Sequence, residues 1–342
     1  MSIPGLSVPQ GAGATERPTA SPRLADSLPP AGDLPRVSAV IPTHNRKDLL
    51  RRAVDSILAQ TLPCREIIVV SDGSTDGTDE MMREMAAREP RVRFIPCHPP
   101  QGGNHARNEG IKAARGDWVA FLDDDDQWHP DKLRKQMELA ASDPEIGLVC
   151  CGIHSVHADS GRSVLFVPSP RPDSSRLIFL RNCIGSTTTV VVKKSLLERV
   201  GMFDESLPAL QDYDLWIRIC QHAHVAVVRE ACVEYNNSPL TNQISQSTEK
   251  YLQATRKLRE KYAAFVAERF PADQSRWEAR LDLSVAAKCI RNGQPRLARE
   301  YAAKAFSSTW TPRAAMFWLA TWFPRGVVNA VKVRVRNWKY RK

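Results

Sequence analysis

No two cysteines in this chain stand at a Cys-x-x-Cys spacing, although eight are scattered through it (Cys64, Cys97, Cys150, Cys151, Cys183, Cys220, Cys232 and Cys289). The N-terminus reads without a secretory signal, so reduced thiols are expected rather than a disulfide framework. No apolar run reaches the roughly 20 residues that a membrane-spanning helix needs. No Gly-x-Gly-x-x-Gly follows the first apolar strand, which disfavours a dinucleotide-dependent oxidoreductase. The pairs His154/His157 and His222/His224 lack a cysteine or acidic cluster at metal-site spacing and read as structural or exposed. Acid is missing from the C-terminal stretch: residues 310–342 hold eight Lys or Arg and no Asp or Glu. Much of the formal charge of +10 belongs to that tail. The distribution argues against a general nucleic-acid surface and for an anionic partner met by the C-terminus.

What is present has the length of one or two domains, 342 residues. Residues 1–35 are rich in Pro, Gly, Ala and Ser without apolar periodicity and are expected to be a disordered leader. A main domain is expected over 36–245, a helical extension over 246–309, and an apolar-aromatic and basic tail over 310–342. Strands are predicted at 37–41, 66–70, 92–95 and 117–122. Helices alternate with them: one carries Leu49, Leu50, Ala53, Ile57 and Leu58. A second carries Met81, Met82 and Met85, with Asp76 or Thr75 as its cap, and a third spans 104–114. This alternation predicts an α/β fold with a mostly parallel sheet covered by helices. Further on, 146–151 and 187–192 read as strands and 212–222 as a helix. A helical hairpin about Gly293 is predicted over 281–306.

The densest feature is the run Asp123-Asp124-Asp125-Asp126, delivered by an apolar strand and closed by Gln127-Trp128-His129-Pro130. Four adjacent carboxylates repel one another, so a fold keeps them together when a cation or a hydrogen-bond network compensates. Hard divalent ions take one or two carboxylates together with substrate phosphates. A solvated acidic turn is the alternative. The loops 42–46, 72–77 and 123–126 all follow strands, so right-handed crossovers would gather them on one sheet edge, where open α/β sheets bind ligands.

Several segments together resemble a known family. They are Val40-Ile41-Pro42-Thr43-His44-Asn45-Arg46, the run from Val69 through Asp72-Gly73-Ser74-Thr75-Asp76-Gly77-Thr78, and Ala106-Arg107-Asn108. The acidic loop with Trp128 and Pro130, and Gln211-Asp212-Tyr213-Asp214-Leu215-Trp216, complete the set. In this order and spacing, across roughly residues 37–235, they resemble the family 2 glycosyltransferases. The resemblance implies a GT-A-type mostly parallel sheet flanked by helices, with a C-terminal helical extension here. It also implies inverting transfer of a sugar from a nucleotide-diphosphate donor, assisted by Mg²⁺ or Mn²⁺.

Carried over residue by residue, the resemblance lines the base with Pro42, Thr43 and Asn45 and makes Asp72 its reader. A carboxylate can accept the N3–H of uracil or thymine, so UDP and dTDP both fit. An Asx-turn opening Asp-Gly-Ser is the alternative for Asp72. Arg107 would face the diphosphate or hold Asp72 and the acidic loop, and a surface Arg is its alternative. Asp123 and Asp124 would lie near the ribose and the metal, with Asp125 and Asp123 as metal ligands. Asp126 either belongs to the loop or caps the next helix, and Trp128 reads as packing. Asp212 matches the general base, and it can also cap a helix. His44 stands where many members carry Tyr, and Gln211 where many carry Glu.

The implied acceptor is a hydroxyl of a glycan or lipid-linked glycan, and the implied place is the cytoplasm. Residues 314–323 are apolar and aromatic beside a basic run, which suits peripheral contact with the inner face of the plasma membrane; a final core helix is the alternative. A processive synthase is disfavoured by the missing spans and the missing Gln-x-x-Arg-Trp. A catalytically inactive nucleotide- or glycan-binding protein of the same fold is the competing function, and an anionic-polymer binder resting on the tail is another.

Overall fold

The computed structural model describes residues 34–157, 162–236, 247–309 and 312–322. The leader expected over 1–35 falls almost wholly outside them, as does the tail beyond 322. Two compact units emerge. The first takes the described residues of Met1–Ile178, Asn182–Glu205 and Gln211–Pro239; the second takes Phe179–Arg181, Ser206–Leu210 and those of Leu240–Lys342.

The chain opens with β1 (Val37–Thr43), α1 (Lys47–Leu58), β2 (Glu66–Asp72), α2 (Thr78–Arg88), β3 (Val92–Cys97), α3 (Gly103–Ala113) and β4 (Trp118–Phe121). Next come β5 (Gln127–Trp128), α4 (Lys132–Ala141), β6 (Ile146–His157), β7 (Arg162–Phe166), α5 (Leu177–Leu180), β8 (Val191–Lys193), α6 (Lys194–Val200), α7 (Gln211–Cys220) and β9 (His224–Asn236). Four helices close the described chain: α8 (Thr248–Arg269), α9 (Gln274–Arg291), α10 (Pro295–Ser308) and α11 (Pro312–Ala320).

The first unit is built on a nine-stranded sheet of order β3-β2-β1-β4-β8-β6-β9-β5, with β7 added to β6. Its β3-β2-β1-β4 half is parallel, as the alternation of strands and helices requires. Every residue of β1 and β2 is buried, because helices cover both faces of a parallel sheet. Leu50, Val54 and Ile57 of α1 pack into the core with Ile41, Ile67 and Val69. On the other face α3 approaches β1 so closely that a Cβ on Gly110 would lie 2.3 Å from Val40 Cγ1. The glycine lets the helix sit down on the strand and brings Arg107 toward the sheet edge.

Beyond β4 the sheet turns mixed: β8 is antiparallel to β4 and β6, while β6 and β9 run parallel. The strand expected over 187–192 is shorter than its β-branched composition suggests. Thr187–Thr189 is a 3₁₀ turn and only Val191–Lys193 is strand. The Thr189 hydroxyl donates to the Ser186 carbonyl at 2.7 Å, a local bond that competes with strand pairing. Ahead of α2, Gly77 (φ 83°) holds the capping position rather than Asp76 or Thr75. Asp76 nonetheless accepts the Thr78 backbone N–H at 3.1 Å. All eight cysteines are free.

The second unit is helical. Phe179, Tyr262, Phe265, Phe270 and Trp277 form an aromatic cluster with ring centroids 5.7–6.3 Å apart. The expected hairpin is present as α9 and α10, with Gly293 at φ 77° in the turn between them.

Candidate active site

Because β1 lies between β2 and β4 and all three run parallel, their C-terminal loops meet at one edge. The β1 loop is tied to the β2 loop through Asn45, which adopts φ 53°. Its backbone N–H donates to Ser74 Oγ at 3.0 Å, and its Oδ1 accepts from the Thr75 backbone N–H at 2.7 Å. The expected base-lining residues Pro42, Thr43 and Asn45 are therefore brought beside Asp72, with Asn45 holding the two loops together. His44 Nδ1 donates to the Asp72 carbonyl at 2.6 Å, which makes it a satisfied loop histidine.

Asp72 itself is buried, and each carboxylate oxygen takes one backbone N–H: Oδ1 from Gln101 at 2.7 Å and Oδ2 from Gly102 at 2.8 Å. A carboxylate has about four lone-pair sites, so acceptor capacity remains on both oxygens. Gly73 follows at φ 71°, and a Cβ there would sit 2.8 Å from Pro100 Cδ. Both the left-handed backbone and the contact exclude a side chain. Gly73→Ala should cost about 2–4 kcal/mol, read as a lowered urea midpoint at unchanged slope.

The acidic run is not one uniform patch, because its four carboxylates have different partners. Asp124 is 5% exposed and accepts from Thr43 Oγ1 at 2.8 Å and Arg46 Nη1 at 2.8 Å. Burial pushes its carboxyl up, with Arg46 and Thr43 opposing. Asp123 accepts from Arg107 Nη2 at 2.7 Å and from Thr187 Oγ1 at 3.2 Å. Asp125 meets Arg46 Nη1 at 3.2 Å. Burial, then the charges of Asp123 and Asp124, push the Asp125 carboxyl up to about 6. Asp126 is buried, and its backbone N–H closes the turn onto the Asp123 carbonyl at 3.0 Å. It does not cap α4, whose capping position belongs to Asp131. Trp128 packs as expected: it is 4% exposed, donates from Nε1 to the Thr188 carbonyl at 3.0 Å, and carries Lys132 Nζ 4.0 Å from its ring centre.

Arg107 is buried on α3, paired with Asp123, with its guanidinium 5.7 Å from the Phe203 ring centre. Phe203 is held in turn by Asn108, which donates from Nδ2 to its carbonyl at 3.0 Å and accepts its N–H at 2.9 Å. Arg107 therefore braces the acidic loop and not Asp72. Its Nε is buried without a hydrogen-bond partner among the described residues, so the guanidinium is not saturated.

Asp212 lies in the first turn of α7, half-buried, with Oδ1 accepting the Tyr213 N–H at 2.7 Å. Burial pushes its carboxyl up to about 6; Tyr213 and Arg107 pull it down and Asp123 adds to the rise. The rest of its motif is anchorage. Tyr213 donates to the Ile178 carbonyl at 2.9 Å, Trp216 to the Gly185 carbonyl at 3.0 Å, and Arg218 to Asp214 at 2.7 Å.

Three residues at the site carry roles that the sequence did not assign, although Arg46 lies in the first motif and Thr187 in a segment expected to contact sugar or acceptor. Arg46 and Thr187 hold the acidic loop across 78 and 64 residues of chain. Tyr235, on β9, is close enough to Asp126, Asp123, Asp125 and Asp212 that their charges join burial in pushing its phenol up, which keeps it a donor.

The donor set suits a hard divalent ion. Asp123 and Asp125 supply carboxylate oxygens beside each other, and the concentrated negative charge is only partly met by Arg46 and Arg107. No group of three or more His, Cys, Asp or Glu side chains arranged for a metal occurs among the described residues. Two carboxylates completed by phosphate oxygens is the arrangement such ions favour.

Comparisons with known proteins place this fold and edge among the glycosyltransferases. The family profile described as Glycosyl transferase family 2 matches residues 38–201. An Escherichia coli K12 glycosyl transferase named for colanic acid biosynthesis is 30% identical over 64% of this chain and 78% of its own length. A Bacillus subtilis glycosyltransferase named for teichuronic acid biosynthesis is 29% identical, over 61% of this chain and 82% of that one. An uncharacterized Rickettsia felis glycosyltransferase is 32% identical over 56% of this chain, which spans only 32% of that relative. Among solved structures, a Pyrobaculum calidifontis mannosyltransferase in complex with GDP-Man and Mn²⁺ aligns with TM-score 0.57 and 23% identity, covering 92% of this chain and 85% of that one. The Staphylococcus aureus TarS 1–349 complex with UDP-GlcNAc aligns at 0.54 and 16%, covering 83% and 91%. The chain belongs to the family 2 glycosyltransferases and has their GT-A fold.

Proposed function

We propose that this chain is an inverting glycosyltransferase that moves a sugar from a UDP- or dTDP-sugar to a hydroxyl of a glycan or lipid-linked glycan. The observation that carries the reading is the sheet edge that gathers the Asp72 loop and the Asp123–Asp125 carboxylates, with Arg107 bonded to Asp123 and the charges of both acting on Asp212. Relatives named for envelope polysaccharides support the acceptor class, and neighbours holding GDP-Man or UDP-GlcNAc support the donor class.

Asp72 accepts the base N3–H, held in place by the two backbone amides already on its oxygens. Pro42, Thr43 and Asn45 shape the base site, and Arg107 offers guanidinium donors to the diphosphate. Asp123 and Asp125 would hold Mg²⁺ or Mn²⁺, which supplies charge neutralisation for the departing diphosphate. Asp212 accepts the acceptor hydroxyl proton while that oxygen bonds to the anomeric carbon and the carbon–phosphate oxygen bond breaks. Nucleoside diphosphate leaves, and one displacement inverts the anomeric centre. The same reading assigns 36–245 to the transferase domain and 246–309 to a helical extension, with the reaction at the cytoplasmic side of the envelope.

The test is a panel of α-linked UDP- and dTDP-sugars with Mn²⁺ and glycan acceptors, with the product linkage read by NMR. A β-linked product is expected. An α-linked product overturns the single displacement, and binding of nucleotide without turnover of any donor would favour the inactive binding protein.

A further inference from the structure

Five large apolar side chains are exposed among the described residues: Leu165 and Phe166 on β7, and Met316, Leu319 and Trp322 at α11. The second group is a stripe. At three-residue spacing, the helix and its closing turn place Met316, Leu319 and Trp322 on one face, 44%, 52% and 57% exposed.

Packing behind it holds the stripe in place. Phe306 of α10 stacks on Trp318 with centroids 6.5 Å apart, and Trp318 meets Trp322 edge-on at 6.1 Å. Arg299 sits 3.5 Å from the Trp322 ring centre and donates to the Thr321 carbonyl at 3.2 Å. The sequence on either side of the stripe is cationic. Residues 288–304 contain five Lys or Arg and one Glu, and residues 310–342 contain eight and no acid.

We propose that this face is a docking surface for an anionic lipid bilayer, with α11 lying in the interfacial plane. Nine residues make a helix about 14 Å long, far short of a bilayer core. No helix among the described residues is long and apolar enough to cross one. An apolar stripe ending in Trp, within a stretch of sequence that is cationic and free of acid, has the composition of helices that lie in the headgroup boundary. Lipid phosphates answer the Lys and Arg, and acyl chains answer Met316, Leu319 and Trp322. The proposal stands apart from the sugar-transfer reading.

The experiment is co-sedimentation of the full chain with phosphatidylcholine vesicles, with and without about one-third phosphatidylglycerol. The wild type should partition to anionic vesicles at least about tenfold better than to neutral ones, and lose that preference in high salt. The double variant Met316→Ser/Leu319→Ser should bind them about tenfold more weakly while melting as the wild type does, because both side chains are exposed. Equal partition of the wild type to both vesicles overturns the proposal, whatever the variant does. A folded double variant that binds like the wild type overturns it too. A dimer of the wild type that the double variant dissociates, without vesicle binding, would assign the face to a second copy of the chain.

Discussion

Asp212→Asn should lower kcat by about 10²–10⁴-fold while nucleotide binding stays unchanged and the folded state gains stability. The two effects have one cause. Burial holds the Asp212 carboxyl near 6 against an ordinary 3.8, so ionising it at neutral pH works against the native state. With the folded value raised, the penalty is fully present above about 6 and vanishes below the unfolded value. Asn removes the charge and its oxygen can keep the Tyr213 N–H. A gain of about 1–2 kcal/mol at pH 7 is expected, less than the whole shift because the carboxylate keeps some solvent access. At pH 3.5 the gain should disappear. For the wild type, kcat/KM should fall about tenfold per pH unit below about 6, as the base becomes protonated. Thermal melts at both pH values and a pH–rate profile check this. A variant that loses stability together with activity would make Asp212 a structural residue.

The second large effect belongs to the acidic loop. Asp125→Ala should remove the gain in UDP or dTDP affinity that Mn²⁺ supplies, by about 100-fold or more, since even partners outside the ligand shell cost 10–100-fold. The fold should survive. Asp124 keeps Thr43 and Arg46, and Asp123 keeps Arg107 and Thr187, so no buried charge is left alone. Without metal the variant should bind nucleotide as well as the wild type or better, because one carboxylate facing the diphosphate is gone.

Much of this was legible in the chain. Buried parallel strands such as β1 and β2 read as continuous apolar runs, and a helix between them dictates a crossover. The edge that gathers loops 42–46, 72–77 and 123–126 follows from those two facts. The mixed half of the sheet was less legible. The parallel β6–β9 pair joins strands about 80 residues apart and leaves no local mark. Thr187–Thr189 looks like strand by composition, but the Thr189 backbone N–H and hydroxyl both turn back onto the Ser186 carbonyl. At the site, residue types were readable but partners were not. Nothing in the order of residues tells that Asp124 is spoken for by Thr43 and Arg46 while Asp125 is the less compensated neighbour. Tyr235 reaches the carboxylates from the far end of β9, where no motif flags it.

The most direct measurement is calorimetric binding of UDP and dTDP, with and without Mn²⁺, to the wild type and to Asp125→Ala. A metal-assisted nucleotide site on the acidic loop requires that at least one nucleotide bind the wild type more tightly with Mn²⁺, and that the variant show no such tightening. Absence of binding to either nucleotide in a folded wild type, or equal Mn²⁺ enhancement in both proteins, would contradict it.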